Sequence, residues 1–271
     1  MDEKGTSGHL MLITPERVFY AGLLGRPRER CPGAFHVYVA IRDGLWLSTA
    51  EGRETYGELV VTAPNLRHTI ASDYRTAICV SVEPESVPEG TLDTLARRLL
   101  GRERELFAAR IRAAYRQLRE RAHPDDITAG EFDRMCFCDA LPARELDPRV
   151  VRAIAQIGRF SGEPVTAASC AAEAGLSASR FLHLFKQETG ISFRSFRAWK
   201  RARHLLHFAN QDLNLAHLAQ DIGYPDSTHF SHSIRRFYGL KPRAIFSGSR
   251  DLAIYHAGRI EAGSGLTQEA T

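Results

Sequence analysis

Six polar side chains in the last third of the chain have the chemistry to read base edges, and they fall in two clusters: Ser179, Arg180 and His183, then Ser227, Thr228 and His232. Hydroxyl, guanidinium and imidazole groups hydrogen-bond to base edges, whereas Lys186, Arg235 and Arg236 beside them suit phosphate. Each cluster follows a small-residue segment and a Gly-centred turn. The first copy reads AASCAAEAGLSASRFLHLFKQETG from Ala167 to Gly190, and the second LAHLAQDIGYPDSTHFSHSIRRFYG from Leu215 to Gly239. A helix packed across a tight turn onto a second helix, which projects polar side chains outward, fits a major groove. Two in tandem point to two grooves.

The elements that must position these residues follow from local chemistry. In the first copy Thr166 is an N-cap, Cys170, Ala171 and Ala174 are small enough for a close crossing, and Gly175 supplies a positive φ. Ser177 caps the next helix, whose Phe181, Leu184 and Phe185 point inward and leave Ala178, Ser179, Arg180, His183 and Lys186 outward. In the second copy Leu215, Leu218, Ala219 and Ile222 point inward, Gly223 makes the turn, and Asp226 caps a helix buried through Phe230, Ile234 and Phe237. His229, at the start of that helix, reads as a packing or locally hydrogen-bonded residue. Between the copies Ser192 to Ala209 reads as one helix with an apolar stripe through Phe193, Phe196, Trp199, Ala202, Leu205 and Leu206. Its ~18 residues span ~27 Å, a strut able to hold two readers near the ~34 Å repeat of B-DNA. Lys200 and Arg201 on that strut are phosphate candidates.

Charge agrees with this division. From Val150 to Arg250 there are 14 Lys or Arg against 6 Asp or Glu, net +8 in a chain of +4, so one part alone is suited to a polyanion. Together GLSASRFLHLFKQETGISF, Arg201 and GYPDSTHFSHSIRRFYGLKP make residues 150–246 resemble the DNA-binding domain of the AraC/XylS family of bacterial transcription regulators. The resemblance implies seven helices, two helix-turn-helix units, control of transcription initiation, often as an activator, and promoter DNA and RNA polymerase as partners. Carried over by position, base contacts fall on Ala178, Ser179, Leu182 and His183 in the first reader and on Ser227, Thr228 and His232 in the second. Cys170 stands where the family usually has Leu, His232 where Arg is frequent, and Lys241 where Thr is common. Small or apolar Ala178, Ser179 and Leu182 shift the expected weight from direct readout to phosphate contacts, DNA shape and dimerisation.

The first half has another character. AFHVYVAI, GLWLST, GELVVTAP and YRTAICVSV are short β-rich runs broken by turns, which predict a sandwich or small barrel over about 10–90. Leu95, Leu99, Leu106, Ile111, Tyr115 and Leu118 then recur at helical spacing, broken by His123-Pro124, and predict a helical segment over about 91–140, which the family resemblance implies pairs two copies. Residues 141–149 read as a linker ending in Asp147-Pro148, a cap followed by proline at the first helical position. Residues 251–271 read as a flexible tail. The expected fold class is therefore α+β: an N-terminal small cupin-like β-barrel with a helical dimerisation segment, and a C-terminal all-α domain with two helix-turn-helix motifs joined by a long helix.

Family members often carry such a barrel, which in this chain would sense an effector or support a homodimer. Cupin enzymes hold a metal with a His-x-His pair and a downstream Glu; His36 and His68 stand alone, so no metal or other cofactor and no enzymatic activity is expected. The rival is a cupin-type ligand-binding enzyme with an appended helix-turn-helix domain. Another alternative takes Arg26 and Arg30, with Ser48 and Gly52 behind them, as the order seen in PilZ-type binders of cyclic di-GMP, where paired arginines grip phosphate and stack on guanine. A small organic effector is the broader competitor, and a helical domain adapted to protein contacts alone is a third reading. Five scattered cysteines, including Cys136 and Cys138, argue against a disulfide framework, and no run approaches a membrane span or a signal core. A cytoplasmic protein without membrane contact is the expectation.

Overall fold

The computed structural model describes residues 8–160, 165–246 and 251–257. Alternating Val, Ile, Phe and Tyr produce eight strands in the first half: β1 (Leu10–Ile13), β2 (Arg17–Leu23), β3 (Phe35–Ala40), β4 (Leu45–Thr49), β5 (Glu54–Gly57), β6 (Leu59–Thr62), β7 (His68–Ser72) and β8 (Thr76–Val82). A ninth, β9 (Ala253–His256), comes from the far end of the described chain. The strands form a six-stranded sheet, ordered β6-β3-β8-β2-β1-β9, and a three-stranded sheet, β5-β4-β7. Among the described residues the ladders do not close into a ring, so the barrel expectation reduces to two packed sheets.

The two faces of the large sheet follow the period of two along each strand. Phe19, Val37 and Val80 lie in register across β2, β8 and β3 and face the helices, in one core with Leu99, Phe107, Ile111 and Phe132. Tyr38 and Ala40, on the opposite face, pack with Leu45, Leu47 and Ile70 of the small sheet. The upper part of that face is left for the second half of the chain.

The helical run resolves into α1 (Thr91–Leu100) and α2 (Arg104–Glu120), with α3 (Ala129–Phe137) beyond a short 3-10 turn at Pro124–Asp126. Leu95, Leu99, Ile111 and Leu118, the stripe expected to pair two copies, are buried against this chain's own sheet. Leu106 turns outward instead, 56% exposed, with Leu100 at 42%. Cys136 is buried in the same core, which pushes its thiol well above the ordinary range.

Asp147 caps α4 (Pro148–Arg159) by accepting from the Arg149 amide at 2.8 Å, as the Asp-Pro pair predicts. Then follow α5 (Ala167–Glu173), α6 (Ala178–Thr189), α7 (Phe193–His204), α8 (Leu215–Asp221), α9 (Ser227–Tyr238) and α10 (Pro242–Phe246). The expected strut is shorter than read: α7 ends at His204 and tightens into a 3-10 turn over Leu205–Phe208. That turn sends Leu205 into the core of α8 and α9 and Leu206 towards β1 and β2.

The tail expectation is corrected for residues 251–257. β9 lies parallel to β1, with Leu10 opposite Ala253 and Ile13 opposite His256, so it completes the large sheet. Residues 258–271 lie outside the described residues.

Candidate nucleic-acid interface

Each helix pair is built by the same local devices. Thr166 and Ser169 form a reciprocal capping box on α5, Gly175 turns the chain at φ 64°, and the Ser177 hydroxyl accepts from the Arg180 amide at 3.3 Å to open α6. Asn214 caps α8, Gly223 turns the chain at φ 81°, and one Asp226 oxygen accepts from the Thr228 and His229 amides, both at 2.8 Å, to open α9. Phe181 and Phe185 anchor α6 on Phe193 and Phe196, while Phe230 and Ile234 anchor α9 on Leu205 and Leu218. Trp199 and Ala202 of α7 also pack on Phe237 of α9, so one helix carries both pairs.

With the aromatic faces buried, Ala178, Ser179, Arg180, Leu182, His183 and Lys186 all lie exposed on α6. Ser227, Thr228, His232, Arg235 and Arg236 are likewise exposed on α9. Leu182, 41% exposed, offers an apolar contact of the kind a thymine methyl takes. His229 is held locally, its Nδ1 2.8 Å from the Asp226 carboxylate. Arg201 is half-buried at the second turn, its guanidinium 5.8 Å from the centre of the Tyr224 ring, and burial lowers its affinity for a proton.

Lys200 is placed elsewhere than the phosphate reading expects. Its ammonium lies 2.6 Å from Glu83 and 2.5 Å from Glu85, both just beyond β8, in the seam between the two halves of the chain. Arg203 reaches the same Glu83 at 2.9 Å and donates to the Thr14 carbonyl at 2.6 Å. Burial alone raises the Glu83 carboxyl, but Lys200 and Arg203 overcome it and hold it below the ordinary range. Burial keeps Glu85 above that range. Neither glutamate was singled out from the sequence, where the acidic Glu83-Pro84-Glu85 after an apolar strand was the available signal.

The seam continues around the segment 25–33. A Cβ at Gly33 would fall 2.5 Å from the Trp199 ring, and one at Gly239 would fall 2.9 Å from the Arg28 carbonyl. The Cys31 amide donates to the Arg236 carbonyl at 2.7 Å, so the C-terminal end of α9 is tied to the first half. Arg26 and Arg30 both border a cavity of about 530 Å³ in this seam, whereas Ser48 lies on β4 and does not line it. The three residues of the cyclic di-GMP alternative are therefore not brought together. His36 and His68 come to one place on either side of Tyr38: His36 stacks on its ring at 5.7 Å, and Nε2 of His68 is 3.1 Å from its hydroxyl. Each Nδ1 faces a carbonyl, Ala34 for His36 and Leu66 for His68, so each donates there.

Among the described residues no group of three metal-ligating side chains comes together, and no helix is long and apolar enough to cross a membrane. Residues 170–247 match a family model described as a helix-turn-helix domain. The HTH-type transcriptional activator RhaS of Escherichia fergusonii is 33% identical over 111 residues, 40% of this chain and 39% of that protein. The chain thus spans less than half the length of that curated relative. The fold of nearly the whole chain is similar to the crystal structure of ToxT from Vibrio cholerae O395, with a TM-score of 0.52 at 11% identity, covering 86% of this chain and 98% of that one.

Proposed function

We propose that the chain carries the DNA-binding domain of the AraC/XylS family of transcription regulators and is a one-component regulator whose two helix-turn-helix units, α5–α6 and α8–α9, enter successive major grooves of promoter DNA. The observation that carries this reading is the pair of exposed polar faces on α6 and α9, each opened by a side-chain cap and both packed on α7, α6 through Phe193 and Phe196 and α9 through Trp199 and Ala202. Arg180 and His183 on one arm and Thr228 and His232 on the other are the base readers; Lys186, Arg235 and Arg236 hold phosphate. The first half, a cupin-like pair of sheets with three helices, senses an effector and pairs two copies through the outward side of α1 and α2, where Leu100 and Leu106 are exposed. RNA polymerase is the downstream partner, and the role is activation.

Footprinting on genomic fragments at several salt concentrations tests it. A protected site and a steep fall of affinity with salt are expected. Weak binding that ignores both sequence and salt favours a helical domain adapted to protein contacts.

A further inference from the structure

We propose that α6 and α9 read the same base twice: His183 and His232 each donate to the major-groove edge of a guanine, at two places about one helical turn of DNA apart. This rests on reading both helices as DNA readers, and it names the base that each takes. Counted from their caps, Ser177 and Asp226, the two helices carry the same chemistry at the same positions. A hydroxyl stands two residues on (Ser179, Thr228), an imidazole six on (His183, His232) and a cation nine on (Lys186, Arg235). The buried positions coincide as well, Phe181 with Phe230 and Phe185 with Ile234. Steps of four and then three residues set hydroxyl, imidazole and cation in one row along the helix, and all six side chains are exposed.

Beside that row the two helices differ. Three residues past the cap, α6 has Arg180 and α9 has His229, whose Nδ1 is taken up by the Asp226 carboxylate at 2.8 Å. Five residues past it, α6 has Leu182 and α9 has Ser231. The duplicated row therefore does not follow from a duplicated helix. Its histidines also stand apart from others in the chain: His36, His68 and His229 are held by carbonyls, a tyrosine or a carboxylate, whereas among the described residues neither His183 nor His232 has a hydrogen bond or ion pair.

Donor chemistry selects the base. An imidazole keeps at least one N–H in either protonation state, so it can always donate. Guanine sets two acceptors, N7 and O6, side by side on its major-groove edge; adenine puts an amino donor beside N7, thymine a methyl beside O4, and cytosine offers a donor alone. Arg180 and Lys186 flank His183 one turn to either side, and His229, Arg235 and Arg236 flank His232. These neighbours add donors to the face and no carboxylate that would accept from cytosine. In both grooves the order is then the same: a hydroxyl at the start of the helix, the imidazole on guanine, and a cation on the phosphate beyond. Arg180 has no equivalent on α9, so the element under α6 is read at one base more.

Selection by the full chain from a duplex library randomised over two helical turns decides this. Selected sites are expected to hold G·C pairs at two positions about ten base pairs apart. Replacing either guanine by 7-deazaguanine, which still pairs but lacks N7, should weaken binding about fivefold or more. His183→Asn should abolish that loss at one position and His232→Asn at the other, each turning the preference there towards adenine, which the amide of asparagine fits. Both side chains are exposed, so both variants should fold, which circular dichroism checks; if one does not, the 7-deazaguanine duplexes with the unaltered chain carry the test. Sites without two guanines at that spacing, undiminished binding of the 7-deazaguanine duplexes, or folded variants that keep both guanine preferences overturn the proposal. The two readings fail differently. Recovery of no sequence at all sinks the regulator reading and this one with it, whereas defined sites of another composition sink this one alone.

Discussion

Trp199 donates its indole N–H to both carboxylate oxygens of Glu83, at 3.1 and 2.9 Å, across the seam between the two halves of the chain. The same carboxylate is the counter-ion of Lys200 and Arg203, so one buried acid holds three side chains of α7. The helix that carries both helix pairs is thereby fixed to the sheet.

Glu83→Gln is expected to leave Lys200 and Arg203 buried with too little compensating charge and to cost about 3–5 kcal/mol. Urea denaturation checks this, read as a fall in midpoint. Lys200→Ala should show the same loss of stability with little change in the salt slope of DNA binding, because its charge faces Glu83 and Glu85. A drop of about one in that slope would return Lys200 to the phosphate.

Acid should weaken the first half through its histidines. Burial, the largest cause, lowers His36 and His68 from the ordinary 6.5 to about 4. Between pH 6.5 and 4 the unfolded chain therefore binds protons that the folded chain does not. Their contribution is complete above pH 6.5 and is lost as pH falls towards 4, with a slope approaching about 2.7 kcal/mol per pH unit for the two together. Glu85, held up by burial, runs the other way and offsets part of it. Denaturation midpoints across this range should show the slope, and His68→Gln should reduce it by about one proton. A flat profile would contradict the assignment.

On DNA, Arg235→Ala should weaken binding to all sequences alike and lower the salt slope by about one, as loss of a phosphate contact does. Arg180→Ala should instead cost about 1–3 kcal/mol at one base pair and relax specificity there. Competition binding with single-base variants of a footprinted site distinguishes the two; a uniform loss for Arg180→Ala would remove it from the base readers.

Two glycines give a matched test of the seam. Gly190 (φ 76°) has open space where a Cβ would stand, so Gly190→Ala should cost only the left-handed conformation, about 1–2 kcal/mol. Gly239 (φ 68°) would bring its Cβ to 2.9 and 3.1 Å from the Arg28 and Glu29 carbonyls, so Gly239→Ala should cost more and loosen the contact of α9 with the first half. Midpoints of the two variants, with protease sensitivity of the seam, compare them. Equal losses would mean that the segment 28–31 yields easily.

What could be read from the sequence was what neighbouring residues decide. Ser177, Asp226 and Asp147 cap the helices they precede because capping needs only a side-chain oxygen and the next few amides. The inward aromatics of α6 and α9 follow from helical spacing, and outward exposure of the DNA-facing candidates follows from the aromatics. Lys200 was not legible in this way. Its fate depends on Glu83, 117 positions away, and an exposed-looking lysine on a basic helix carries no mark of such a partner. The stripe of α1 and α2 had the same ambiguity, since period alone says that a face is buried and not whether a sheet or another copy buries it. β9 was missed because four residues with no neighbouring strand have no hairpin signal, and their partner β1 stands at the opposite end of the described chain.

The return of the chain to β1 also constrains how the helical domain can move. A body on one tether swings through a cone; a body pinned at two points, once the Glu83 contacts of the seam release it, can only pivot about the line between them. The domain is pinned where it leaves the first half before Asp147 and again where β9 rejoins the sheet. Any displacement that begins in the seam should therefore reach α6 and α9 together, as a single rotation that turns both exposed helix faces by the same angle.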